Sequence, residues 1–133
     1  MGDPLDPENR VGSLVSPEHF AKVKSYLEHA SAEKLEVVYG GATKDGAFVE
    51  PTVIDGVGRD NRLFQEEIFG PVLSVTTFNT ISEAIALAND TVYGLAASVY
   101  TGSLRRAIKL SREICAGIVT VNCFGEGEAL ISF

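Results

Sequence analysis

Cysteine is scarce in this sequence: 133 residues carry only Cys115 and Cys123. Two thiols give no disulfide framework and read as the reduced cysteines of a cytoplasmic protein. Long apolar runs are missing too, and none approaches the roughly 18 residues of a membrane-spanning helix. Positive charge is in deficit, with 11 Lys and Arg against 18 Asp and Glu and a formal net charge of −7. A surface this negative repels phosphate backbones, so no nucleic-acid partner is expected. The N-terminus, Met1 to Pro7, lacks the basic start and apolar stretch of a secretory signal. Asp6 stands where a myristoylation motif requires Ser or Thr, so no membrane association is expected. Repeats and low-complexity tracts are absent as well. What is present is an ordinary globular composition, 45% apolar and 22% charged, which excludes disorder, collagen and coiled coil as whole-chain readings. The length is that of one domain and suffices for a core without staples.

Residues 1–15, rich in Pro and Gly, read as an extended N-terminal arm. Ser16 then offers an N-cap, Pro17 the first helical position and Glu18 a first-turn acid. Phe20, Val23, Leu27 and Ala30 recur at helical spacing, which predicts an amphipathic helix ending near Glu33. Leu35–Tyr39 and Phe48–Ile54 read as extended runs. Pro51 inside the second argues for a sheet edge or an irregular segment, because proline cannot donate to a ladder. From Val72 onward the order is more regular. A strand over Val72–Phe78 precedes a capping box at Thr80 and Glu83, which opens a helix with Ile81, Ala84, Ile85 and Ala88 on its apolar stripe. Leu95–Tyr100 reads as a strand. Ser103 caps a further helix with Leu104, Ala107, Ile108 and Ile114 as apolar positions, and Gly117 stops it. Ile118–Asn122 is a final strand. Strands alternating with helices predict an α/β fold: a partial doubly wound, mostly parallel sheet with helices on its faces. Strands apolar almost throughout predict cover on both sides. Phe124–Glu128 is a loop, and Ala129–Phe133 has no room for another helix, so the sheet looks cut off.

Most residues able to do chemistry read blandly. His19 and His29 project in different directions from one helix and cannot share a metal, and no metal site is expected. They read as solvated helix histidines. Cys115 and Cys123 lack a CxxC spacing and a downstream histidine, and Cys115 falls at a helix C-terminus, where the dipole disfavours a thiolate. Both read as packing residues. Gly56-Val57-Gly58 and Gly125-Glu126-Gly127 do not complete a dinucleotide fingerprint with a helix behind it. Glu66, Glu67 and Phe69, beside Gly70-Pro71 at the start of a strand, are harder to set aside, although solvated acids and a core aromatic are the plain reading.

Glu66-Glu67-Ile68-Phe69-Gly70-Pro71-Val72 resembles the EEIFGPV motif of the NAD(P)-dependent aldehyde dehydrogenases. Other strings resemble that family in the same order. They are Gly2-Asp3-Pro4-Leu5-Asp6-Pro7, Phe48 with Pro51-Thr52-Val53, Ala88-Asn89-Asp90 with Tyr93-Gly94-Leu95, and Gly117 through Val121-Asn122. The likeness covers about residues 2–127 and is most similar to the γ-glutamyl-γ-aminobutyraldehyde and other ω-amino aldehyde dehydrogenases.

The resemblance implies roles. Glu67 would hydrogen-bond the nicotinamide ribose of NAD or NADP, Phe69 would pack near the nicotinamide, and Gly70-Pro71 would fix the turn that aims both. Asn122 would tie its strand end to the catalytic loop, and the loop from Cys123 to Glu128 would border the aldehyde entrance. No catalytic residue is expected here. The family's nucleophilic cysteine, its glutamate base and its dinucleotide-binding domain all precede the segment that resembles Gly2. Its Pro-Phe-Gly-Gly run and C-terminal interface strand find no match at Ala129–Phe133. Residues 1–133 therefore read as part of an aldehyde dehydrogenase catalytic domain, inactive alone and prone to self-association or homo-oligomer assembly. The competing reading is a non-enzymatic α/β binding module that associates with a partner chain through an open sheet edge.

Overall fold

Helix α1 (Pro17–Ala32) starts at the cap written into the sequence. Ser16 is extended, its side chain accepts from the His19 N–H, and Pro17 stands where a missing donor leaves nothing unsatisfied. Glu33 caps the far end. The buried face carries Val23, Tyr26 and Ala30. Tyr26, only 1% exposed, belongs to that face although its hydroxyl hid it from the apolar pattern.

The computed structural model describes residues 1–124. It divides into two compact units, Met1–Thr77 and a second beginning at Phe78. In the first, β1 (Glu36–Tyr39), β4 (Thr52–Asp55) and β5 (Val72–Ser74) form one sheet in the order β1-β4-β5. β1 is antiparallel to β4, and β4 is parallel to β5. A small antiparallel ladder joins β2 (Thr43–Lys44) to β3 (Phe48–Val49). Pro51 does interrupt the 48–54 run, but the strand after it is central rather than an edge. The proline stands just ahead of the ladder, so no donor is lost, and the Thr52 N–H bonds the Pro71 carbonyl at 2.8 Å. Ile54 on β4, Val49, Val57, Leu63 and Ile68 pack with the buried face of α1 into one core. Each such side chain contributes roughly 1.5–3 kcal/mol on burial.

The first part of the N-terminal arm, residues 3–9, is wound into turns rather than extended. The carboxylates of Asp3 and Asp6 accept from the N–H groups of Leu5 and Glu8 at 2.9 and 3.0 Å. These turns are typical of aspartate, whose short side chain reaches the backbone two residues on. Gly2 N–H closes the loop on the Val11 carbonyl at 3.1 Å.

The second unit is built locally. Thr80 caps α3 (Ile81–Ala88) by accepting from the Glu83 N–H at 3.1 Å. The Glu83 carboxylate returns to the Asn79 N–H at 2.7 Å, one residue before the usual partner in a capping box. β6 (Ala96–Val99) and β7 (Ile118–Val121) are parallel, with α4 (Leu104–Glu113) as the crossover. The α/β class holds, with the parallel strands shared between two sheets. β5 takes β4 as its partner, pairing Thr52 with Val72 and Ile54 with Ser74, instead of extending the β6–β7 pair. The expected two-sided cover of the strands does not extend to this unit. Val99 is the buried residue of β6, while Leu95 just before it is 72% exposed. On α4 the buried residue is Leu110, and Leu104 and Ile108 are exposed. α4 stops at Glu113 with Ile114 extended, ahead of Gly117. Gly117 instead opens the strand pairing, its N–H bonding the Gly94 carbonyl at 2.8 Å. Among the described residues no helix is long and apolar enough to cross a membrane. Of the Phe124–Glu128 loop only Phe124 is described, and the Ala129–Phe133 stretch lies outside the described residues.

Candidate functional site

The Glu-Glu-Ile-Phe-Gly-Pro segment leaves a short helix, α2 (Arg62–Gln65), that the sequence pattern did not reveal. Asn61 caps it, accepting from the Leu63 N–H at 2.9 Å. The chain then alternates. Ile68 is buried in the core at 7% exposure, and its neighbours Glu67 and Phe69 are exposed. Phe69, expected on the plain reading to be a core aromatic, is 69% exposed. Its φ of 55° lies in the left-handed region, which costs a bulky residue about 1–2 kcal/mol. The turn therefore takes its unusual backbone at Phe69. Gly70 is required for space instead, because a Cβ there would stand 2.8 Å from the Val23 Cγ2. Pro71 is fixed on its far side by its carbonyl bond to β4.

Helix α1 meets this segment with a row of donors. Tyr26 Oη donates to Glu66 Oε2 at 2.8 Å, and Arg62 Nε donates to the same oxygen at 2.9 Å. The Arg62 guanidinium lies 4.0 Å from the centre of the Tyr26 ring. Lys22 Nζ donates to the Glu67 carbonyl at 3.1 Å. His19 Nε2 bonds the Phe69 carbonyl at 2.5 Å, and the two rings lie 5.9 Å apart at a 47° tilt. Positions 19, 22 and 26 are three and four apart, so they share one helix face. Val23 sits among them against Gly70. The bond from Arg62, then that from Tyr26, holds the Glu66 carboxyl below the ordinary glutamate range. Burial first, and the bond to Glu66 second, push the Tyr26 phenol above its usual value.

Glu67, Phe69, Gly70 and Pro71 thus come together in the first unit. Asn122 belongs to the second. Its φ is 56°, its N–H bonds the Val99 carbonyl at 2.8 Å, and its side chain spans the Thr101 backbone. Oδ1 accepts from the Thr101 N–H at 2.8 Å, and Nδ2 donates to the Thr101 carbonyl at 3.1 Å. Asn89 acts in the same unit, with Nδ2 on the Glu113 carbonyl and Oδ1 on the Cys115 N–H, both at 2.8 Å. Cys115 is exposed, so its side chain is not the packing residue expected, and its backbone carries the structural bonds. Cys123 is half-buried. His19 is no solvated helix histidine either, since its ring is bonded to the Phe69 carbonyl and its Nδ1 is buried. Among the described residues no three His, Cys, Asp or Glu side chains cluster to hold a metal. Of the Cys123–Glu128 loop only Cys123 and Phe124 are described.

A sequence model of the aldehyde dehydrogenase family matches residues 1–133. The chain belongs to the aldehyde dehydrogenase family. It is 71% identical over 133 residues to an aminoacetaldehyde dehydrogenase of Pseudomonas aeruginosa, covering 100% of this chain and 27% of that protein. Among solved structures, an indole-3-acetaldehyde dehydrogenase in complex with NAD+ superposes with a TM-score of 0.92 at 46% identity, covering 98% of this chain and 27% of that one. A betaine aldehyde dehydrogenase from Staphylococcus aureus, also with NAD+, gives a TM-score of 0.86 at 38% identity, covering 93% and 26%. The chain spans about a quarter of the length of these relatives.

Proposed function

We propose that residues 1–133 are the later part of the catalytic domain of an NAD(P)-dependent aldehyde dehydrogenase, which oxidises an aldehyde to a carboxylic acid through a cysteine thioester. The observation that carries this reading is the alternation at the turn. Ile68 is anchored in the core, and an acid and an aromatic are exposed on either side of it. This acid–aromatic pair suits a nicotinamide riboside. An ionised carboxylate at Glu67 accepts from both ribose hydroxyls in charge-assisted bonds. Phe69 offers an aromatic surface to the ring and sugar. Bound at these residues, the nicotinamide would supply the acceptor for the hydride of the aldehyde carbon. This chain's own residues fix where the ribose rests, and Gly70-Pro71 holds the turn that presents them.

The nucleophile, the base and the dinucleotide-binding domain belong, in this reading, to chain that precedes Gly2 in the family order. Asn122, through Thr101, steadies the strand end that leads toward the catalytic loop. The likeness to an aminoacetaldehyde dehydrogenase favours an amino aldehyde as substrate. Exposed Leu95, Leu104 and Ile108 favour assembly, with other segments or with a second copy.

The test is Glu67→Gln in a full-length enzyme carrying this segment, with NAD and NADP affinity measured by calorimetric titration and hydride transfer by single turnover. Weaker binding or slower transfer is expected. Unchanged values for both would remove the ribose role.

A further inference from the structure

We infer that His19 is a positioning residue for the nicotinamide pocket: by capturing the Phe69 carbonyl it holds the strained turn that presents Phe69. This inference rests on the cofactor role proposed for Phe69. A bulky aromatic does not choose a left-handed backbone by itself, so its neighbours must impose it. On one side Ile68 is fixed by burial in the core. On the other, the 69–70 peptide plane is set by its two ends. Gly70 is pressed against Val23, and the Phe69 oxygen accepts from His19 Nε2. A carbonyl only accepts, so Nε2 carries the proton in this contact.

The remaining ring nitrogen, Nδ1, is buried and has no hydrogen-bond partner among the described residues. A histidine serving only as helix surface would keep both nitrogens in water. Here one nitrogen holds a backbone carbonyl 50 residues away in sequence, and the imidazole lies beside the ring it positions. His19 sits in the first turn of α1, whose start is set by the Ser16 cap. The donor is therefore carried by a rigid element. Losing it frees the peptide to rotate, lets Phe69 relax from the left-handed region, and moves the aromatic surface that the ribose and nicotinamide would meet.

The experiment compares His19→Leu, which removes the donor but keeps bulk, with His19→Gln, which keeps a side-chain N–H. Both are made in the full-length enzyme carrying this segment, alongside Glu67→Gln. Equilibrium NAD affinity, single-turnover hydride transfer, thioester hydrolysis and melting temperature are measured. His19→Leu is expected to weaken NAD binding or slow hydride transfer by about tenfold, the loss of one hydrogen bond. Thioester hydrolysis should be little changed, and His19→Gln should recover most of the loss. Wild-type affinity and transfer in His19→Leu, with Glu67→Gln impaired, would overturn the inference and leave the cofactor reading standing. A loss that His19→Gln does not recover and that follows the melting temperature would reduce His19 to a fold-stabilising residue and overturn it too. If Glu67→Gln is unimpaired while His19→Leu loses affinity and His19→Gln restores it, the inference stands and the Glu67 assignment falls.

Discussion

The γ-methyl groups of Val23 fill the space in which a side chain on residue 70 would begin, since a Cβ there would lie 2.8 and 3.0 Å from them. Gly70→Ala must therefore push the helix and the turn apart. Overpacking of this kind costs about 1–3 kcal/mol. Val23→Ala alone opens a cavity in the core, but combined with Gly70→Ala it makes room for the new methyl. Denaturant unfolding of the single and double variants should give a double loss smaller than the sum of the two. Strictly additive losses would mean that the two positions do not press on each other.

In the proposed reading, the two acids at the turn have different duties. Glu66 is engaged by Tyr26 and Arg62, and Glu67 is the acid assigned to the ribose. Glu67→Gln removes charge-assisted bonds worth about 1.5–3 kcal/mol, so cofactor affinity or hydride transfer should fall roughly tenfold to a hundredfold. Glu66→Gln should lower the melting temperature instead, with hydride transfer nearly unchanged. Equal kinetic losses in the two variants would show that the division is wrong.

Acid should release the clamp on Glu66. Its carboxyl is held below the ordinary range in the folded chain, first by Arg62 and then by Tyr26, so folding favours its ionised form. The stabilisation is complete above the unfolded-state value and is lost as pH falls through the lower folded-state value. Tyr26→Phe deletes one of the bonds to that carboxylate. The gap in melting temperature between wild type and Tyr26→Phe should be widest near neutrality and should narrow in acid. A gap independent of pH would place the effect of Tyr26 in packing alone.

Asn122 combines a left-handed backbone with two side-chain bonds to Thr101. Asn122→Gly loses the bonds but accepts the conformation, whereas Asn122→Ala loses the bonds and adds strain. Alanine should be the more destabilising by about 1 kcal/mol. Urea unfolding of both variants checks the order, and a glycine variant no better than alanine would argue against the strain.

The chain by itself should not oxidise aldehydes, because neither Cys115 nor Cys123 has a positioned base among the described residues. Incubation with NAD or NADP and a set of amino aldehydes should yield no enzyme-dependent reduced cofactor. Turnover abolished by Cys115→Ala or Cys123→Ala would show that a thiol here has been misread.

The elements legible in the sequence are those fixed by neighbours along the chain. Ser16 with Pro17 and Thr80 with Glu83 mark their helices because a cap and the N–H it accepts from lie within one turn. The strand–helix–strand order from β6 to β7 is legible because apolar period and turn residues alternate in sequence. What stayed hidden depends on distant partners. β4 becomes central only through pairing with β1 and β5, and no local pattern states that. Tyr26 and His19 look like polar helix positions until residues 66 and 69 are brought to them. Cys115 reads as a packing residue because its spacing and its place at a helix end offer the thiol no partner, yet the second unit uses its backbone and leaves its side chain exposed. For the EEIFGPV segment, resemblance supplied the candidate residues, and the structure shows which side chains hold the turn they stand on.

The row formed by positions 19, 22, 23 and 26 against 66–70 also bears on how this region can be exchanged between relatives. Two stretches some 40 residues apart behave as one module, in which one surface is cut to the shape of the other. A graft that brings in the Glu-Glu-Ile-Phe-Gly-Pro turn without its own α1 would arrive with mismatched donors and a misplaced methyl. A graft that carries both would bring its geometry with it. Chimeras crossed between Glu33 and Asn61 should accordingly fare worse than those crossed before Ser16 or after Val72.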